Sequence, residues 1–105
     1  MQYRRLGKTN LMVSEIGFGG EWLERHNYEE CKVVIDRAQE LGINILDCWM
    51  SEPNVRTNIG KALAGRRSQW FIQGHIGSTW QEGQYVRTRD VGKCREAFED
   101  LLKRL

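Results

Sequence analysis

The chain has 105 residues, 40% hydrophobic and 29% charged, and its 16 basic and 14 acidic side chains leave a formal net charge of +2. This balance excludes disordered and fibrous classes, and a chain this short, which buries only about two thirds of its unfolded surface, has room for one core and a single domain over residues 1–105. The charges are interspersed along helical faces, so no nucleic-acid partner is expected, and no apolar run approaches the ~18 residues of a membrane span.

The amino end, Met1-Gln2-Tyr3-Arg4-Arg5, leads into no apolar signal segment, so a cytoplasmic protein is expected. Cys31, Cys48 and Cys94 are odd in number, far apart and without zinc-finger spacing, so neither a disulfide framework nor a metal site is expected. Cys31 and Cys94 fall on helix faces expected to be buried, as small hydrophobes, and packing is also the reading for Cys48.

Tyr3 to Leu6 and Leu11 to Val13 flank the turn-rich Gly7-Lys8-Thr9-Asn10, the signature of a short hairpin. Ser14 to Gly20 reads as a brief strand running out into Gly19-Gly20, where missing side chains let another group approach the backbone. Asn27 with Glu30 forms a capping box, and Cys31, Val34, Ile35, Ala38 and Leu41 then recur at helical spacing until Gly42 supplies a left-handed stop.

Ile43 to Leu46 is an apolar strand that ends on Asp47. A helix between two buried strands makes a βαβ unit with a parallel pair. The pattern repeats: Pro53 suits a first helical turn, Val55, Ile59, Ala62 and Leu63 form its stripe, and Gly65 ends it. A third strand starts at Trp70-Phe71-Ile72 and extends through Gln73-Gly74-His75. Thr79 to Arg87 shows no sustained period and reads as a loop. Thr88 or Asp90 can cap a last helix, on which Val91, Cys94, Phe98, Leu101, Leu102 and Leu105 face one way.

The fold class is therefore α/β: an amino-terminal hairpin followed by three parallel βα units. Gly19-Gly20, Asp47-Cys48-Trp49 and His75 all fall at the carboxyl ends of the strands, where ligands bind in such architectures. Three strands leave two open edges and a bare face, so self-association is expected. A full (β/α)8 barrel takes about 250 residues. The chain is thus expected to be a piece of a barrel, or to complete itself through other copies.

The segments Tyr3 to Gly20, Ala38 to Asp47 and Ile59-Gly60-Lys61-Ala62-Leu63 resemble the aldo-keto reductases, and the similarity runs over nearly the whole chain. The resemblance implies a partial (β/α)8 TIM barrel and an oxidoreductase that reduces small-molecule carbonyl compounds with NADPH. It also implies a tetrad of Asp, Tyr, Lys and His. Asp47 matches the aspartate, beside the nicotinamide; the tyrosine's place falls on Glu52 and the lysine's on His75, while the histidine and most cofactor-binding residues would lie beyond this chain. An isolated chain is then expected to be inert.

The candidate catalytic residues are Asp47, His75 and Glu52. Reduction needs an acid for the developing alkoxide; His75 can serve near neutrality, and Glu52 only if burial raises its pKa. We expect Asp47 and His75, at adjacent strand ends, to form a hydrogen-bonded pair. The alternative is that His75 is a satisfied polar residue and Asp47 a cap. Gly19, Gly20 and Asp47 are the candidate cofactor contacts, although Gly17-Phe18-Gly19-Gly20 lacks dinucleotide spacing. Trp22 and Trp49, following strand ends, are expected to wall a substrate pocket. A second functional class stays open: a non-catalytic binding or assembly module on the same fold.

Overall fold

A computed structural model describes residues 1–105. An antiparallel hairpin comes first, β1 (Tyr3–Arg5) paired with β2 (Met12–Ser14). In the connection Gly7 takes φ +55°, a left-handed conformation that glycine adopts without steric cost. Next, β3 (Phe18–Gly19), β4 (Ile45–Cys48) and β5 (Phe71–Gly74) form a parallel sheet in that order. The asparagine just before β4 ties the hairpin to the sheet. Asn44 accepts from the Ser14 amide at 2.8 Å and donates to the Met12 carbonyl at 3.0 Å, so the hairpin sits at the amino-terminal end of β4, away from the strand ends of interest.

α1 (Tyr28–Glu40) starts at the expected capping box: Asn27 Oδ1 accepts from the Glu30 amide at 2.9 Å, and the Glu30 carboxylate accepts from the Asn27 amide at 3.0 Å. It stops where Gly42, at φ +85°, lets Gly42 and Ile43 donate back to Gln39 and Ala38. α2 (Pro53–Ala62) opens on Pro53, and α3 (Val91–Arg104) on the cap supplied by Asp90 to the Lys93 amide.

Side chains alternate along β4, and the two sets meet different surroundings. Leu46 and Cys48 are fully buried with Cys31, Ile35 and Ala38 of α1 and Val55, Ile59 and Ala62 of α2. Ile45 and Asp47 point the other way and are half-buried. The three-strand order leaves the outer edges of β3 and β5 without a partner strand.

Four features depart from the sequence reading. β4 runs from Ile45 to Cys48, so Asp47 lies within its last turn of pleat instead of just past its end. Glu21–Arg25 forms a 3₁₀ turn. Thr79 to Arg87 is no loop: β6 (Ser78–Gln81) and β7 (Gln84–Arg87) pair as a second hairpin. Its two-residue turn places both Glu82 (φ 51°) and Gly83 (φ 78°) in the left-handed region, which matches the twist of the flanking strands.

The apolar stripe of α3 is the fourth. Leu101 is buried, but Val91, Phe98 and Leu102 are exposed and Cys94 is only half-buried, because α3 packs on α2 and β6 along one narrow line. On α1, likewise, Val34 and Leu41 stay exposed.

Arg56, unremarked in the sequence, ties α2 to α3. Its side chain is 2% exposed and donates to the Met50 carbonyl at 2.7 Å, the Ala97 carbonyl at 2.9 Å and Asp100 at 3.1 Å. No helix is long and apolar enough to cross a membrane.

Candidate active site at the strand ends

Parallel register brings the candidate residues to one end of the sheet. Gly19 lies opposite Asp47, and Asp47 opposite Gln73, with His75 two residues further along. The period of two puts Gln73 and His75 on the same side. His75 Nε2 stands 2.9 Å from Asp47 Oδ1, on the open face of the sheet, with both side chains about 40% exposed (44% and 38%).

This contact is ionic in distance but not a directed hydrogen bond. The ring N–H is not aimed at Oδ1, which is shielded from solvent and has no hydrogen-bond partner. The expected hydrogen-bonded pair is thus a close contact without a directed hydrogen bond. The same ring nitrogen lies 3.4 Å from Gln73 Nε2. Protonated, Nε2 has a carboxylate beside it; unprotonated, it can accept from the Gln73 amide.

Glu52 does something else. Its carboxylate caps α2, accepting from the Val55 amide at 2.6 Å, and it helps push the Glu24 carboxyl above the usual range, an effect led by Glu24's own burial. The two glycines also part company. A side chain on Gly19 would meet nothing within 4 Å, so this position leaves open space next to Asp47. At Gly20 a Cβ would come 2.9 Å from the Asp47 carbonyl and 3.0 Å from Met50, and the Gly20 amide donates to that carbonyl at 2.9 Å. Gly20 is needed for close packing, with no free surface to offer a cofactor.

Trp22 and Trp49 do not wall one pocket. Trp22 is 69% exposed and lines an apolar groove of about 640 Å³ with Phe18, Leu23 and Val33, its ring 5.7 Å from the Arg25 guanidinium. Trp49 sits beside His75 in another recess, of about 520 Å³, where it meets the Tyr85 ring edge-on at 5.0 Å. Tyr85, Ser78, Arg87 and Arg89 of this recess were not singled out in the sequence, because the hairpin that places them was not foreseen.

Cys48 faces the helices, and burial, the dominant cause, pushes its thiol up to about 11, with Asp47 adding to the shift and Arg56 opposing it. It is not a thiolate at neutral pH. No three His, Cys, Asp or Glu side chains converge as a metal site would require.

Comparison with known proteins extends this picture. No protein-family model matches the chain. Over all of its length it is 31% identical to YqkF of Bacillus subtilis (strain 168), described as an uncharacterized oxidoreductase, and it spans 35% of that protein. It also superimposes on the aldo-keto reductase AKR11C1 of Bacillus halodurans. Against the holo form the TM-score is 0.86 with 32% identity, covering all of this chain and 36% of that one; against the apo form it is 0.68 with 28% identity, covering 99% and 32%. In sequence and in fold, then, the chain resembles the amino-terminal part of aldo-keto reductases, and it spans about a third of their length.

Proposed function

We propose that this chain is the amino-terminal part of a (β/α)8 barrel oxidoreductase that reduces small carbonyl compounds with NADPH, His75 acting as proton donor and Asp47 as its positioning partner. One observation carries the reading: the 2.9 Å approach of His75 Nε2 to Asp47 Oδ1 at the carboxyl ends of adjacent parallel strands. The resemblance to the aldo-keto reductase AKR11C1 supports the reductase side of the reading.

The chemistry follows from the charges. As a carbonyl accepts hydride its oxygen becomes an alkoxide, and a donor held against that oxygen lowers the barrier. An imidazolium next to Asp47 supplies the proton, and Gln73 receives the neutral ring afterwards. Glu52 is left to its cap. A bound nicotinamide would supply the hydride, and Gly19, with its open space, and the Asp47 carboxylate beside it are the residues here that would adjoin it. Most of the remaining contacts would come from outside this chain, which in isolation is expected to be inert. Three free cysteines suit the reducing conditions of the cytoplasm.

The test is a titration of NADPH against tryptophan fluorescence. Trp49, sharing a recess with His75, should report binding. Unchanged emission up to millimolar cofactor would count against the reading and favour the other one, a binding or assembly module. That second reading draws on the unpaired edges of β3 and β5 and the exposed Trp22 and Val33. It requires copies to associate, so a strictly monomeric species in light scattering would refute it.

A further inference from the structure

We infer that the recess between His75 and the β6–β7 hairpin is an oxyanion subsite, taking the carboxylate or phosphate group of a small ligand whose other end reaches His75. Three independent features point to it. First, Arg87 and Arg89 both line the recess, and neither is held in an ion pair, so both guanidinium groups are available to a ligand there. No acid is among the lining residues. Asp47 faces His75, and Asp90 caps α3.

Second, Ser78 is 3% exposed, lines the same recess, and its hydroxyl has no hydrogen-bond partner. Buried hydroxyls without a partner are rare because each forfeits hydration for nothing in return. An oxyanion in the recess would accept from it. Third, the hairpin holds the donors together: Ser78 lies directly opposite Arg87 in the register, so the two project from the same face. Gly77, at φ +89°, lets the Thr88 amide close the hairpin base on the Gly77 carbonyl at 3.0 Å, fixing Ser78 beside Arg89's segment.

Paired guanidinium groups and a hydroxyl match an oxyanion better than a neutral amide or sugar, since each contact is charge-assisted. Trp49 and Tyr85 complete the recess with ring surface, which favours a short, partly apolar body between the anionic group and His75. That the ligand is the substrate rests on the reductase reading; that the recess binds an oxyanion does not.

The experiment is therefore run without nicotinamide. Inorganic phosphate, pyruvate and methyl pyruvate are titrated at constant ionic strength, following amide and arginine Nε resonances by NMR. Saturable shifts at Gly77, Ser78, Arg87 and Arg89 are expected from phosphate, pyruvate or both, with methyl pyruvate at least about ten-fold weaker. Whichever anion binds more tightly identifies the group. R87Q/R89Q should weaken binding by about ten-fold or more. S78A should weaken it several-fold while leaving the melting temperature unchanged or raised, as expected for a hydroxyl with no partner in the empty protein. Equal binding of the ester, or no saturable shift at 50 mM of either anion, roughly the weak limit of a useful subsite, overturns the inference. Such a failure leaves the NADPH titration untouched, and the converse also holds.

Discussion

The two faces of β4 have nothing in common but a backbone. Leu46 and Cys48 meet two helices and vanish from solvent, while Ile45 and Asp47, one residue away, stand on the open face with His75. One face holds the fold together and the other offers chemistry. This division separates the side chains that hold the sheet to its helices from the open face that carries Asp47 and His75.

The division is broken or sharpened by substitution. The largest effect belongs to the helix-covered face. Leu46→Ala should cost about 2–5 kcal/mol in urea unfolding, and Ile45→Ala on the open face about 1 kcal/mol. Equal losses would mean that the two faces are not distinct. Next come the neighbouring glycines: Gly20→Ala forces the Asp47 backbone and Met50 apart and should cost about 1–3 kcal/mol, whereas Gly19→Ala should stay within about 0.5 kcal/mol.

Thiol labelling separates the faces chemically. Half-buried Cys94 should react first, while Cys31 and Cys48, both fully buried with thiols raised by burial, should react only as the protein unfolds. The smallest effect lies on the surface of α1. Hydrogen bonds from Lys32 and then Arg66 hold the Asp36 carboxyl below 3.8. A depressed acid stabilises the fold above its unfolded pKa, and that contribution disappears as pH falls through the lower folded value. Asp36→Asn should therefore lower the unfolding free energy from urea titration at pH 7 by less than about 1 kcal/mol, and its deficit should shrink below pH 4, roughly the unfolded value.

Much of this was legible in the sequence where local chemistry decides the outcome. The Asn27–Glu30 box, the Gly42 stop and Pro53 at a first turn act within a few residues, so the ends of α1 and the start of α2 follow from the chain itself. The placement of Asp47 and His75 at the same end of the sheet follows from parallel order alone. The β6–β7 hairpin was hidden by its turn, Glu82-Gly83: asparagine or aspartate is the usual partner of glycine there, and Ser78 to Gln81 alternates weakly. Glu52 resembled an acid in a tyrosine's place, but a side chain preceding Pro53 at a helix start is also well placed to cap it, and the backbone amides won. Trp22 and Trp49 were grouped by their position after strands, which says nothing about the direction each takes on leaving the sheet.

The central claim is that His75 gives the proton. The direct measurement is the NADPH-linked reduction rate of the complete polypeptide carrying this chain, wild type against His75→Gln, with melting temperature monitored in parallel. The account predicts a fall in kcat of about 10²–10⁴-fold with little change in stability, since the imidazole is half exposed and outside the core. A His75→Gln protein that turns over at the wild-type rate would contradict it.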